Sequence, residues 1–181
     1  MVTHVPAEAH GDERGALLGY LAAERGAIRR ALLGLTEEQA ASRPSASELS
    51  LSGLLKHVAE VELTWLRMAQ QKPNERQRYE ETWEEGFRLT ADESVPGILA
   101  FWDGVTRETE EFLRSAPSLD DTFPLPDAPW FPKDGRVSLR WMALQLVREF
   151  SRHAGHADII RESLDGKTAF ELIALEAQPQ A

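Results

Sequence analysis

A chain of 181 residues, 42% hydrophobic and 28% charged, has the size and composition of one globular domain and excludes pervasive disorder. Its net charge of −10, from 20 basic against 30 acidic residues, excludes a broad phosphate-binding surface, and the lack of cysteine excludes disulfides, a thiolate zinc site and a cysteine nucleophile. No apolar run approaches the roughly 18 residues of a membrane span, and Met1–Asp12 lacks the basic start and apolar core of a leader, so a soluble, cytoplasmic protein with no membrane partner is expected.

Residues 1–12 read as a flexible tail, and His4 and His10 fall within it. From Glu13 to Leu35, Leu17, Leu18, Leu21, Ile28, Leu32 and Leu35 recur at helical spacing, and Gly34 with Thr36 suits a helix end followed by a new cap. Pro44, Ser45 and Ser47 mark a connector. A second helix starts with Ser50 or Ser52 as cap, carries Leu51, Leu54, Leu55, Val58, Val61, Trp65 and Met68 on one stripe, and stops before Pro73. Gln71 to Asp92 is highly charged, a short helix or loop, and its acidic run Tyr79–Glu85 reads as a solvated face.

The third helix starts near Ser94 with Pro96 in its first turn, and Ile98, Leu99, Trp102, Val105, Thr109 and Phe112 form its apolar face. Five of the 10 prolines fall between Ser115 and Arg136, so no helix crosses that stretch. Ser138 caps a last helix in which Leu139, Met142, Ala143, Leu146, Phe150, Ala157, Ile160 and Leu164 repeat, and Asp165-Gly166 ends it. No segment shows the sustained alternation of a strand. Four amphipathic helices in one all-α domain, 13–167, predict a four-helix bundle with long crossover loops, followed by a C-terminal extension, 168–181.

The chemistry lies in three histidines on these helices. Glu149 and His153 sit at the edge of the last helix's apolar face, four residues apart and so one turn above each other. His57 lies between the directions of Leu54, Val61 and Met68. An inward carboxylate needs a partner. A divalent metal held by His57, Glu149 and His153 supplies one and leaves a coordination position open, as in catalytic sites. Zinc suits these ligands best; nickel, iron and manganese also accept them. Spacing serves equally well a cluster of hydrogen-bonded core histidines, with Glu149 paired to Arg148, Arg152 or a histidine. His156, three residues on, reads as an alternative ligand, a hydrogen-bond partner behind the ligands, or a surface residue.

The last-helix run Glu149-Phe-Ser-Arg-His153-Ala-Gly-His156-Ala-Asp158-Ile-Ile-Arg-Glu162, followed by Asp165-Gly166, resembles the last helix of DinB-like proteins. Leu54-Leu55-Lys56-His57-Val58-Ala59-Glu60 resembles their second helix, and Trp130-Phe131-Pro132-Lys133-Asp134-Gly135-Arg136-Val137-Ser138 resembles the lead-in of the actinobacterial branch. The resemblance spans about residues 13 to 167. It implies a four-helix bundle with a three-residue metal site, placing ligands at His57, Glu149 and His153 and a neighbouring polar position at His156. Where many members carry histidine, this chain has Glu149, as the mycothiol-dependent maleylpyruvate isomerases do.

The resemblance also implies a small thiol cosubstrate, mycothiol or a similar low-molecular-weight thiol, and an S-transferase or thiol-dependent isomerase acting on a small electrophile. A metal-bound thiol is deprotonated, and the thiolate is the attacking species. Two rival readings are a metal-dependent hydrolase, with Glu60 as a conceivable base whose wheel position favours solvated surface, and a non-catalytic small-molecule-binding bundle. Relatives are often homodimers, although no stripe here demands a second chain. Trp65 and Trp102 are expected in the core, while Trp130 and Phe131 either face a substrate at the mouth of the bundle or anchor the crossover. No helix-turn-helix, phosphate loop, basic stripe or Gly-x-Ser-x-Gly elbow is present, so nucleic acid is not an expected partner.

Overall fold

The computed structural model describes residues 11–177; the expected tail, with His4 and His10, lies almost wholly outside them. Its body is four long helices: α1 (Glu13–Arg30), α3 (Leu51–Gln70), α4 (Val95–Ser115) and α5 (Leu139–Asp165). Two short helices, α2 (Glu37–Ala41) and α6 (Ala169–Glu176), and a 3-10 helix (Glu80–Phe87) complete the helical elements described. Helix α1 packs on α5, α5 on α3, α3 on α4 and α4 back on α1, which closes the bundle. No helix among the described residues is long and apolar enough to cross a membrane.

Local chemistry sets the helix ends. Ser50, Ser94 and Ser138 each cap a helix by accepting a hydrogen bond from the third backbone N–H beyond. Helix α3 stops at Gln71, which takes up the left-handed conformation (φ 54°) just before Pro73, and α5 stops at Gly166 (φ 78°). Helix α1 ends earlier than its apolar period predicts, at Arg30 rather than Leu35. The cause lies 130 residues away: buried Arg161 on α5 donates from Nη1 to the carbonyls of Ala31 and Leu33, both at 2.8 Å, and its other nitrogens hold Asp165 at 3.0 Å. These carbonyls, orphaned at the helix end, are satisfied by a cation that the helical period does not report.

The proline-rich crossover contains what the alternation test could not detect, two three-residue strands. Strand β1 (Thr122–Pro124) pairs antiparallel with β2 (Arg136–Ser138), Phe123 opposite Val137. The expected extension carries α6, which packs on α1 and buries Leu172.

Trp65 and Trp102 are in the core as expected, and Trp102 meets Phe150 edge-to-face at 5.9 Å. Beside them lies a charge cluster with no sequence signature. Arg25, on α1, grips Glu62, on α3, through two hydrogen bonds of 2.6 and 3.2 Å, and Trp102 Nε1 donates to Glu62 Oε2 at 2.7 Å.

The charged segment after α3 folds back along it as a strap. Arg78 binds Glu60 at 2.6 and 2.8 Å, Arg76 reaches both Glu60 and Glu93, and buried Lys56 Nζ donates to Glu93 at 2.6 Å and to the Arg88 carbonyl at 3.1 Å. Glu60 is therefore 5% exposed, not the solvated residue its wheel position indicates. Burial pushes the Glu93 carboxyl up, but hydrogen bonds from Lys56 and the Thr90 backbone outweigh it and hold the group at about 2. The run Tyr79–Glu85 is largely solvated, as expected, while Glu85 pairs with Arg78.

The strap lies so close to α3 that only glycine fits at position 53: a Cβ there would stand 2.0 Å from the Phe87 carbonyl oxygen. Gly→Ala in an open helix stabilises by about 1 kcal/mol. Gly53→Ala is expected to reverse the sign and destabilise by roughly 1–3 kcal/mol, because backbone must move. Gly104→Ala on α4, with no atom within 4 Å of the added Cβ, serves as the control that stabilises. Urea unfolding of the two variants measures the contrast, and a Gly53→Ala protein as stable as the parent would show that the strap gives way freely.

Candidate metal centre

Helices α3 and α5 run antiparallel, and one stretch of their seam brings His57 against Glu149 and His153. Both histidine Nε2 atoms reach the same oxygen, Glu149 Oε1, at 3.2 Å from His57 and 3.1 Å from His153. A carboxylate oxygen only accepts, so each ring presents Nε2–H to it. Those two hydrogen bonds, from His153 first and then His57, hold the Glu149 carboxyl well below the usual carboxylate range against burial that pushes it up.

These are also the dimensions of a cation site. Zinc bonds of about 2.0–2.1 Å at tetrahedral angles place neighbouring ligand atoms ~3.3 Å apart. Among the described residues His57, Glu149 and His153 are the group of metal-type side chains whose ligand atoms all lie within 4.8 Å of one another. Two imidazoles and a carboxylate fit zinc-type binding with a fourth position left to another ligand.

The surroundings fix the rings. Phe87, at the end of the strap, stacks on His57 with centroids 4.2 Å apart and planes 18° from parallel. His57 lies five residues from Glu62, about 140° round α3 at 100° per residue. Glu62 faces the core, so His57 looks toward the outer edge of the α3–α5 seam, where the strap covers it. His57 is 8% exposed, buried at that edge as its direction between Leu54, Val61 and Met68 indicates.

His156 Nδ1 lies 3.3 Å from His153 Nδ1. Burial, then the neighbouring His153 and Arg152, push the His156 imidazole down and favour its neutral form. His156 thus stands behind the three converging groups rather than among them. Neither Arg148 nor Arg152 pairs with Glu149 among the described residues; the histidines do.

Phe131 packs edge-on against Trp65 at 6.3 Å and anchors the crossover, while Trp130 is 76% exposed.

A model of the mycothiol S-transferase family matches residues 16–166. The chain belongs to that family. The match covers all three converging residues and agrees with the DinB-like resemblance of the last helix. The fold of this S-transferase family member recurs in a crystal structure of a conserved protein from Enterococcus faecalis, with a TM-score of 0.67 over 87% of this chain and 99% of that one. At 16% identity that likeness speaks for the fold alone. No curated protein matches the sequence.

Sequence reasoning missed the strap's part in the site. Phe87 carried no signal as a neighbour of His57, because the contact depends on Arg78, Arg76 and Lys56 tying the segment down.

Proposed function

We propose that this protein is a divalent-metal-dependent S-transferase that joins mycothiol to a small electrophile. The observation that carries this reading is the convergence of His57 Nε2, His153 Nε2 and Glu149 Oε1 in a chain matched across residues 16–166 by the mycothiol S-transferase family. The chain has no cysteine, so the sulfur must arrive with a second molecule. A divalent cation, zinc by the chemistry of the donor set, supplies deprotonation of a bound thiol at neutral pH.

The protein's own groups prepare that chemistry. Glu149 offers a full negative charge, since its carboxyl is held ionised. Phe87 keeps the His57 ring in one plane, and His156 Nδ1, 3.3 Å from His153 Nδ1, would accept from it in the tautomer that frees His153 Nε2 for a metal. The hydrolase alternative is weakened at its base: Glu60 is buried and both of its oxygens are held by the Arg78 guanidinium, which favours a structural ion pair over a proton acceptor. A thiol-dependent isomerase would use the same three groups and is separated from a transferase by its product.

Zinc-loaded protein mixed with mycothiol and a bromomethyl or Michael-acceptor electrophile tests the proposal. The expected result is thioether formation faster than with mycothiol alone, lost on chelation and in His153→Ala. A stoichiometrically loaded protein giving no rate above the free thiol overturns it, and ester or amide turnover without thiol would favour the hydrolase.

A further inference from the structure

The three converging groups occupy only part of the α3–α5 seam. Trp65 follows His57 by eight residues and Trp141 precedes Glu149 by eight, which is about 12 Å along each helix at 1.5 Å per residue. The two indoles meet at 5.2 Å, Phe131 reaches Trp65 at 6.3 Å, and Trp130 continues the cluster 6.3 Å from Phe131. Trp65 is 8% exposed and forms the floor, whereas Trp141 is 40% and Trp130 76% exposed. Half-buried Val61 and Gln145 occupy the turn between this cluster and the metal-type residues, one on each helix. Two large indoles open to solvent in one contiguous aromatic patch exceed what closing a bundle requires.

We infer that this aromatic cluster is the platform for the sugar end of the thiol cosubstrate. The inference rests on the proposed S-transferase reading and assigns that site its second half. Mycothiol carries its thiol on an N-acetylcysteinyl group joined by an amide to glucosamine, which is linked in turn to inositol. From sulfur to the near edge of the glucosamine such a molecule spans roughly 6 Å, and to the inositol roughly 10–12 Å, at ordinary bond lengths. With sulfur beside His57, Glu149 and His153, the glucosamine lies over the intervening turn and the inositol reaches the indoles. A sugar ring presents C–H edges that suit the electron-rich face of an indole. With its amine acylated, as in mycothiol, the pseudodisaccharide is uncharged, and none of the four aromatic residues brings a charge. Gln145, on the path, has an amide able both to donate and to accept. A small electrophile is the poorer occupant, because it must sit within about 3.5 Å of the sulfur to react, at the far end of the seam. Affinity drawn from the remote end of a long thiol is a standard way of orienting its reactive end.

Two measurements on the full chain test this. In the first, the thiol-free pseudodisaccharide with its amine acetylated, N-acetylglucosaminyl-inositol, is titrated into metal-free protein while tryptophan fluorescence is followed. The expected result is a saturable change that disappears in Trp130→Ala/Trp141→Ala. In the second, transferase kinetics are compared for mycothiol and for N-acetylcysteine, which lacks the sugars. The double variant is expected to raise KM for mycothiol about tenfold or more, the loss of two stacking contacts, and to leave kcat/KM for N-acetylcysteine unchanged. Trp130→Ala alone, at the most exposed position, gives the same direction with the least risk to folding. No fluorescence change in the parent, an equal change in the variant, or a raised KM for the electrophile instead of the thiol would each overturn the platform. Failure of the S-transferase reading would look different: sugar binding retained at the indoles, but no thiol transfer with either thiol.

Discussion

Zinc added to metal-free protein is expected to raise its melting temperature, and His153→Ala is expected to abolish the rise. A ligand that binds only the folded state stabilises it by about 2.7 kcal/mol at a free concentration of 100 Kd. For a domain of this size that is a shift of roughly 5–10 °C. His57 and His153 come from helices that separate on unfolding, so the denatured chain offers no equivalent site. His57→Ala and Glu149→Gln are expected to behave as His153→Ala does. His156→Ala should keep the rise but need about 10–100-fold more zinc, because it removes only the acceptor behind His153. Differential scanning calorimetry with and without zinc, alongside elemental analysis, reads both effects. A full zinc-dependent shift in His153→Ala would move the cation elsewhere.

Arg25→Ala is expected to lower stability by roughly 3–5 kcal/mol. Arg25 and Glu62 are 3% and 0% exposed, so removing the guanidinium leaves a carboxylate in the core with the Trp102 N–H as its remaining donor. The same carboxylate would then draw in water, which opens the packing around Trp102. Arg25→Met with Glu62→Leu removes both charges and should recover most of the loss, since buried pairs contribute little over well-packed apolar residues. The exposed pair Arg43–Glu48 offers the contrast: Arg43→Ala is expected to change stability by less than about 0.5 kcal/mol. Urea unfolding midpoints decide it, and an Arg25→Ala loss below about 1 kcal/mol would mean that solvent already reaches Glu62.

The bundle was legible because its signals are local. Leu54, Val58 and Val61, or Met142, Leu146 and Phe150, state a helical period within a few turns, and Ser50, Ser94 and Ser138 mark starts that the backbone then uses. Glu149 and His153 were legible for the same reason: four residues on a helix is a fixed distance. That they meet His57 follows from the alignment of α3 with α5, which no single segment encodes; family resemblance supplied it. Buried Arg25, Glu62, Lys56 and Arg161 were illegible. Each owes its burial to a partner 32 or more residues away, which no local pattern reports. Glu60 was misread in this way, its cover being a segment whose folding depends on ion pairs rather than on a periodic stripe. The strands β1 and β2 were too short for alternation to register.

The separation of the converging groups in sequence has a consequence for biosynthesis. His57 and Glu149 are 92 positions apart. While the ribosome is still making the crossover, the growing polypeptide holds a solitary imidazole where two and a carboxylate will later meet. On the proposed reading, capture of an ion by all three would wait until α5 has emerged and docked, with Arg161 latching onto the end of α1. Loading would then belong to the finished protein, its affinity set by the completed fold and not by any half-made intermediate.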